Sequence, residues 1–483
     1  MRPPHRLAHE SALFPGVKTR QHWDHFLTRA LHQAGQRVRY GKVTPTLDHA
    51  MLQSELATLD FSDPYPIDKL LPWVIAQMEH GNVHFTNPRY FGLFNPSPTF
   101  PALCAERIVS AFNPQLASAT TSPAAVEIEN HTIRAVAQRL GFGTGATGHF
   151  TTGGSEANYT ALLCALTNAN PGFASEGARA FQGAPVFYIS QDSHLAWIKI
   201  SHQAGIGRAA VRQIGTDGSG RMDVSQLAQT LETDRAQGFV PVMIAATAGT
   251  TGAGMIDPLI ACRDIARRAG VWYHIDAAWG GALIASDRLR HHLAGLETAD
   301  SVTLDAHKWF ATTMGCGMYI SANPAVLPTA FGVPASFMPP SVGPGIDPYL
   351  TSVQWSRRFL GLRLFMALAA AGWSGYGQHV ERAIILAGLL KDILLRRGWN
   401  VVNDSKLAVI CAEPPAGAAD VRIIVDRIIA SGDVWVSAAK FQGRDVVRAC
   451  VTHGETTTDD VLAVADAMQE AADMRQDRYA WVS

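Results

Sequence analysis

Strand-like and helix-like hydrophobic patterns alternate along the middle of the chain, from about residue 148 to residue 321. The short apolar runs are rich in β-branched and aromatic residues and lack a clean polar–apolar alternation, which is typical of strands covered on both faces. The predicted strands are "PVFYIS", "AAVRQI", "VPVMIAATA", "VWYHIDAA", "SVTLDA" and "GCGMYIS". Helical stretches such as "PLIACRDIARRAG" lie between them, so the pattern predicts an α/β domain with a mostly parallel sheet.

The regions on either side of this pattern differ from it. Residues 1 to about 120 are proline-rich and irregular between helical patches. The next stretch predicts a helix with Ser122 as N-cap, Pro123 at its first position and Gly141 at its end. A long helical region follows at about 352–397, and short strands with two helices complete the chain. We predict an N-terminal helical and irregular segment (1–120), a large α/β domain (121–375) and a small C-terminal α+β domain (376–483).

Composition narrows the classes of protein to consider. Of the 483 residues, 47% are hydrophobic and 17% are charged, which is typical of a globular chain with a substantial core. The formal net charge of −1 predicts no overall attraction to nucleic acid or to a membrane surface. We find no run of about 18 apolar residues and no signal-peptide pattern. The six cysteines are scattered without a metal-binding spacing, so we expect a cytoplasmic protein with reduced thiols.

The stretch "DSVTLDAHKWF" ends a predicted buried strand with three polar residues, Asp305, His307 and Lys308. An unpaired ammonium in apolar surroundings costs several kcal/mol, or its pKa falls until the amine is neutral. A neutral lysine is a nucleophile. The pattern therefore indicates chemistry at Lys308.

Other polar residues also follow predicted strands or begin predicted helices. In "HFTTGGSEAN", Gly154 and Ser155 form a turn that directs backbone N–H groups and a helix N-terminus at an anion such as a phosphate. Asp276 ends a strand, where a protonated ring nitrogen would satisfy its carboxylate. His194 and Thr251 follow two further strands, at the end of the sheet where α/β proteins bind ligands. Taken singly, each residue also fits an ordinary turn, cap or salt bridge.

Together these features specify pyridoxal 5′-phosphate. A lysine binds the cofactor covalently, a carboxylate keeps its ring nitrogen protonated as an electron sink, and a glycine turn holds its phosphate. Five such features in one α/β domain, all at strand ends, are difficult to attribute to chance. The sequence therefore predicts an enzyme that uses this cofactor.

The chain resembles the pyridoxal-phosphate-dependent group II amino-acid decarboxylases, which include aromatic-L-amino-acid, tyrosine and glutamate decarboxylases. The resemblance implies fold type I, with a seven-stranded, mostly parallel sheet in the large domain. It also implies a homodimer whose active sites are shared at the subunit interface. The matching stretches, in family order between about residues 80 and 453, are "NPRYFGLF", "TSPAAVEIE", "TTGGSEAN", "DSHLAWIK", "AGTTGAGMIDPL", "YHIDAAWGG", "DAHKW", "SRRFLGLRL" and "VVRACV".

The resemblance also implies a role for each matching residue. Lys308 would be the Schiff-base lysine, and Asp276 would pair with the pyridine nitrogen. Ala278 would lie against one face of the ring, and His194 would stack on the other. The remaining residues implied to hold the cofactor or order its site are Gly154, Ser155, Asp305 and His307 at the phosphate, Thr251 on its loop, and Arg357.

One loop departs from the family pattern. Many members carry a loop tyrosine that protonates the carbanion left after CO₂ departs, whereas "ASFMPPSVGPGIDPYL" has Phe337 at the comparable place. Phenylalanine has no proton to give, and in the plant aromatic branch it accompanies aldehyde synthases, whose reaction consumes O₂. Tyr349 or water would be the alternative donor. A packing role for Phe337 is equally compatible with the sequence.

The predicted substrate pocket also departs from that of the aromatic enzymes. Where they read "HWHSPYFFAYF", this chain has "HFTNPRYFGLF", with Asn87 and Leu93. Phe85, Phe91 and Phe94 would form an apolar wall, which favours an apolar or aromatic amino acid over glutamate. Packing in the core explains such aromatic residues equally well.

We therefore predict a homodimeric decarboxylase that converts an L-amino acid to an amine and CO₂. An aldehyde synthase, a carbon–carbon lyase and an aminotransferase are the alternatives that keep the cofactor. A scaffold without catalysis is disfavoured because Lys308 and Asp276 are both present. Neither the charge nor any motif indicates a nucleic-acid partner.

Overall fold

The computed structural model describes residues 11–338 and 346–474. The helices within these residues are α1 (Val17–Tyr40), α2 (His49–Ala57), α3 (Ile67–His80), α4 (Phe100–Phe112), α5 (Pro123–Leu140), α6 (Gly154–Ala169), α7 (Phe173–Glu176), α8 (Ala196–Gln203), α9 (Val224–Ala236), α10 (Leu259–Ala269), α11 (Val326–Phe331), α12 (Leu362–Arg396), α13 (Val421–Ser431) and α14 (Thr458–Asp473). The strands are β1 (Thr147–Thr151), β2 (Pro185–Ser190), β3 (Val211–Ile214), β4 (Val240–Thr247), β5 (Trp272–Asp276), β6 (Ser301–Asp305), β7 (Gly317–Ser321), β8 (Asn400–Val401), β9 (Val409–Glu413), β10 (Ser437–Phe441) and β11 (Arg444–Cys450).

The large sheet contains seven strands in the order β1-β7-β6-β5-β4-β2-β3. Strands β2 to β6 pair in parallel, and β7 is antiparallel to both of its neighbours. The C-terminal part of the chain forms a second, antiparallel sheet in the order β10-β11-β9-β8, together with α13 and α14. The predicted α/β architecture, with a smaller α+β unit, is confirmed.

The large sheet is covered on both faces, as the non-alternating sequence pattern predicts. In β2, Val186 and Tyr188 belong to one hydrophobic core, whereas Phe187 and Ile189 belong to the core on the opposite face. This follows from the two-residue period of a strand, which directs successive side chains to opposite faces. The sheet is therefore a rigid middle layer, and the carboxyl ends of β2, β4, β5 and β6 lie along one edge.

Two helix starts differ in detail from the sequence prediction. Ser122 stands at the N-cap of α5, but its hydroxyl donates to the Gln115 carbonyl at 2.7 Å and does not cap the helix. The long helix predicted from about residue 352 begins only at Leu362. Gly372 interrupts that helix with a φ of 63° and a ψ of 177°, a left-handed φ that favours glycine.

Within the described residues, no helix combines the length and the apolar character needed to cross a membrane. All six cysteines fall in the described part of the chain and are free thiols, five of them buried. The cytoplasmic location and the domain boundaries stay predictions.

Candidate active site

A cavity of about 310 Å³ lies at the carboxyl ends of the parallel strands. This volume is at the lower end of the range for small-molecule sites. The cavity is bordered by residues that follow β1, β2, β4, β5 and β6, which the sheet brings to one edge. The residues predicted from sequence that line it are Gly154, Ser155, His194, Thr251, Asp276, Ala278, Asp305, His307 and Lys308.

Lys308 has a carboxylate partner in this cavity. Its Nζ lies 2.9 Å from Oδ2 of Asp305, and the two side chains are 21% and 2% exposed. The Lys308 amine therefore has a carboxylate partner, which the sequence pattern did not indicate. The Asp305 N–H donates to the Ala278 carbonyl at 2.8 Å, which holds this acid beside the end of β5. His307 lies next to the pair, and burial lowers the pKa of its imidazole.

The glycine turn between β1 and α6 has the close packing that its sequence predicts. Gly154 and Ser155 line the cavity at the N-terminus of α6. A Cβ atom at Gly154 would lie 2.8 Å from Asp305 Oδ2, so a larger residue would displace that carboxylate. A helix N-terminus carries partial positive charge and N–H groups without helical partners, which suits a phosphate.

Asp276 presents a buried carboxylate to the cavity. It is 5% exposed, and its oxygens accept hydrogen bonds from Asn158 Nδ2 at 2.8 Å and from the Ala278 N–H at 3.1 Å. An ionised carboxylate has about four acceptor positions, so it can accept a further N–H from a ring nitrogen. Sequence reasoning missed Asn158, although it follows Gly154 by four positions and so shares its helix face.

His194 is exposed at the cavity in the single chain. Its Nδ1 accepts the Ala196 N–H at 3.1 Å, so the neutral ring carries its proton on Nε2. Thr251 is also exposed, on the loop after β4. The further cavity residues absent from the predicted set are Thr152, Gly153, Glu156, Asn158, Thr247 and Gly249.

The loop after β4 is anchored by Asp257, a buried acid at its far end. Its carboxylate accepts the N–H groups of Thr247 and Met222, each at 2.8 Å. Burial raises the pKa of Asp257 to about 6. This anchor positions Thr247, which lines one side of the cavity.

The aromatic residues predicted to contact the substrate are not among the described residues that line the cavity. Phe94 stacks on Trp279 at a centroid distance of 4.0 Å, and the Trp279 indole donates to the Gly249 carbonyl. Phe85 is 44% exposed and packs edge-on against Tyr90.

Asn87 and Arg357 are engaged elsewhere in the fold. The Asn87 amide donates to the Val38 and Gly41 carbonyls, and its Oδ1 accepts the Arg89 N–H. In the single chain, its polar atoms therefore hold a turn together. Arg357 pairs with Glu129 at 2.5 Å, and both side chains are buried. This ion pair links the segment before α12 to α5, and so to the strand β1 that precedes the glycine turn.

Phe337 packs near the mouth of the cavity. Its ring stacks on Trp355 at 5.8 Å, and Tyr349 contacts the same indole at 4.8 Å. The neighbouring Gln354 donates to Glu156, which lines the cavity. The part of the loop between them, residues 339–345, lies outside the described residues.

The groups around the cavity fit pyridoxal 5′-phosphate. Asp276 can accept an N–H from the ring, Lys308 supplies a primary amine, and Gly154 and Ser155 supply a helix N-terminus for the phosphate. The small Ala278 leaves room for a flat ring beside His194. Each requirement of the cofactor is thus met by a residue that the cavity brings together.

Comparison with known proteins agrees with this fit. The model of the pyridoxal-dependent decarboxylase conserved domain matches residues 56–413. Tryptophan decarboxylase TDC1 of Camptotheca acuminata is 29% identical over 426 residues, 85% of each chain. L-2,4-diaminobutyrate decarboxylase of Rhizobium meliloti is 36% identical over 278 residues, 57% of this chain and 54% of the relative. These relatives act on different amino acids, so the matches leave the substrate open.

The fold agrees with a solved structure as well. The Oryza sativa tryptophan decarboxylase, crystallised with pyridoxal phosphate and tryptamine, superposes with a TM-score of 0.88 at 24% identity. The match covers 95% of this chain and 98% of that one, which confirms the predicted fold type.

Proposed function

The chain belongs to the pyridoxal-dependent decarboxylase family and is a pyridoxal-phosphate-dependent amino-acid decarboxylase, and we propose that it acts on an apolar or aromatic L-amino acid. The family, the enzyme class and the cofactor are those that the sequence motifs predict. The similarity to tryptophan decarboxylase TDC1 over 85% of each chain carries the substrate proposal, and the buried Phe94–Trp279 stack adds aromatic packing behind Gly249 of the cavity wall. The products would be the amine and CO₂.

Each cavity residue has a task in this reaction. The cofactor would accept the electrons of the bond between Cα and the carboxylate as CO₂ leaves, and it would supply a carbonyl group that combines with amines. Lys308 would hold the cofactor through its amine, and Asp305 Oδ2 lies 2.9 Å from that amine. Asp276 would accept an N–H from the ring nitrogen, and His194, whose Nδ1 accepts the Ala196 N–H, would have an Nε2 proton for the bound substrate.

One observation favours a second candidate, an aldehyde synthase. Phe337 stands where the family resemblance implies a proton-donating tyrosine, and its ring has no exchangeable proton. In that reaction the amino acid, O₂ and water would yield an aldehyde, CO₂, ammonia and hydrogen peroxide. Tyr349, which contacts the same Trp355 ring, is the alternative proton donor.

A product analysis distinguishes the two reactions. The cofactor-loaded enzyme would receive apolar, aromatic and acidic L-amino acids in air, and CO₂, amine, aldehyde, ammonia and peroxide would be measured together. We expect amine and CO₂ to form in equal amounts. We also expect tyrosine, tryptophan, phenylalanine or leucine to be consumed in preference to glutamate. Preference for glutamate or for 2,4-diaminobutyrate would overturn the substrate proposal.

Two matched loop variants assign the proton donor in the same assay. Phe337→Tyr adds a hydroxyl to the same ring, and Tyr349→Phe removes one. For a plain decarboxylase that uses Tyr349, Tyr349→Phe should slow amine release, and Phe337→Tyr should leave the products unchanged. If wild type makes aldehyde and peroxide and Phe337→Tyr restores amine, the aldehyde synthase is the correct assignment.

We further propose that the enzyme is a homodimer with shared active sites, as the family resemblance implies. His194 and Thr251 are exposed in the single chain, although both line the cavity. Leu13, Phe14 and Val17 at the start of the described chain are 85%, 66% and 70% exposed, an apolar surface suited to burial against a second copy. Sedimentation equilibrium should give twice the 52.0 kDa chain mass. A fully active single chain would contradict the proposal.

A further inference from the structure

A row of hydrogen-bonded side chains lies behind the cavity and ends on Asp276. The Trp272 indole N–H donates to Ser301 Oγ at 2.8 Å, and Ser301 Oγ lies 2.8 Å from His274 Nδ1. His274 Nε2 lies 3.1 Å from Asn158 Oδ1, and Asn158 Nδ2 donates to Asp276 Oδ2 at 2.8 Å. None of the five side chains belongs to a residue more than 5% exposed. The row is therefore shielded from water along its length.

Donor chemistry sets the direction of every bond in this row. An indole only donates, so Ser301 accepts from Trp272 and has its single proton left for His274 Nδ1. At the other end, an ionised carboxylate only accepts, so Asn158 turns its NH₂ group to Asp276 and its carbonyl to His274. The Asn158 end therefore requires the ring tautomer of His274 with its proton on Nε2, and the Ser301 hydroxyl can then donate to the unprotonated Nδ1.

The charge state of His274 agrees with this assignment. Burial lowers the pKa of His274 to about 4, so the ring is neutral at neutral pH. Thr303 Oγ1 is a second neighbour of Nε2, but at 3.4 Å it is farther away than the Asn158 oxygen. The Nε2 proton therefore has Asn158 as its main acceptor.

The neutral ring in turn prevents the Asn158 amide from reversing. A reversed amide would turn its carbonyl toward the Asp276 carboxylate and its NH₂ group toward the His274 Nε2–H, so both contacts would repel. With the amide held, Asp276 receives one N–H from Asn158 and another from the Ala278 main chain. These two N–H groups bind different oxygens of the carboxylate and so fix its orientation.

We propose that Trp272, Ser301, His274 and Asn158 are positioning residues that hold the Asp276 carboxylate in place and directed at the ring nitrogen of the cofactor. The nitrogen then keeps its proton, and the electron sink on which decarboxylation depends is maintained. This inference rests on the cofactor and not on the proposed substrate.

The test compares His274→Leu with Thr303→Val in holoenzyme loaded with pyridoxal phosphate labelled with nitrogen-15 in the ring. His274→Leu breaks the row two hydrogen bonds from Asp276, in a residue that is fully buried behind the cavity. Thr303→Val removes a neighbouring hydroxyl from outside the row at nearly constant volume. The ring-nitrogen resonance should move toward the unprotonated position in His274→Leu and stay in place in Thr303→Val.

The kcat and KM for any amino acid that the enzyme converts provide a second measurement. A lost hydrogen bond at a charged group predicts a kcat about tenfold lower in His274→Leu, with KM changed less than about twofold. His274→Gln, whose amide again offers one donor and one acceptor, should recover part of both signals. A His274→Leu resonance at the wild-type position would overturn the proposal, even if kcat fell, since the row would then act only in folding.

Ser301→Ala keeps the test decisive if His274→Leu does not fold. It retains the imidazole and removes only the hydroxyl that contacts His274 Nδ1, so the resonance should shift in the same direction by a smaller amount. A wild-type resonance in Ser301→Ala would overturn the part assigned to Ser301 and Trp272. The spectra require no substrate, so an error in the proposed substrate leaves their interpretation intact.

Discussion

Replacement of Lys308 by alanine or by arginine is expected to lower kcat by roughly 10⁴-fold or more, since either change removes the amine that binds the cofactor. The two variants should differ in stability. Arginine keeps a positive charge beside Asp305, whereas alanine leaves that carboxylate, 2% exposed, without its cation. We expect Lys308→Ala alone to lose up to about 3 kcal/mol of unfolding free energy.

Steady-state rates and urea unfolding of both variants check this expectation. Borohydride reduction of the wild-type holoenzyme should fix the cofactor on the peptide that contains Lys308, as seen by mass spectrometry. Lys199→Ala is the control, because Lys199 is exposed on α8 and lies in another stretch that matches the family, "DSHLAWIK". If the label were found on a different lysine, or if Lys308→Arg were fully active, Lys308 would not be the residue that binds the cofactor.

Asp276→Asn is expected to lower kcat roughly 10²- to 10³-fold, the usual size of effect for loss of one preorganised electrostatic group. The substitution removes the negative charge that holds a proton on the ring nitrogen. It also places a new NH₂ group against either Asn158 Nδ2 or the Ala278 N–H, both of which donate to the carboxylate. The row behind the cavity must then rearrange.

The measurements are kcat and the nitrogen-15 resonance of the bound ring, which should both change. Asp300→Asn is the matched control. Asp300 lies just before β6, at the edge of the sheet opposite to the cavity, and accepts the Tyr273 N–H at 2.7 Å through one oxygen that an amide retains. Equal rates for wild type and Asp276→Asn would show that the carboxylate charge is not needed.

Local patterns account for most of what the sequence predicted about the fold. Strand β2 spans the predicted "PVFYIS", and α5 runs between the predicted Ser122 and Gly141. The predicted start of the long helix was wrong, because tertiary contacts there outweigh the local helix propensity. Residues 352–361 read as helical, but Arg357 within them forms a buried ion pair with Glu129 before the helix begins at Leu362.

For the same reason, the sequence predicted some residues of the candidate site and missed others. Lys308 and Asp276 lie in short motifs at strand ends, where a polar residue after an apolar run signals a ligand. Asn158 lies within a helix whose buried residues are mostly apolar, and Trp272 and Ser301 resemble ordinary strand residues. Their part depends on partners elsewhere in the chain, which a local pattern does not contain.

By itself, the sequence determined the family, the α/β fold and the cofactor, because residue types at strand ends and helix starts carry that information locally. Only the tertiary structure decided which polar side chains hydrogen-bond to one another. Asn158 meets Asp276 across 118 positions of sequence, and Trp272 meets Ser301 across 29. Such contacts depend on strand register and on the packing of α6 against the sheet, since hydrogen bonds form only between atoms about 3 Å apart.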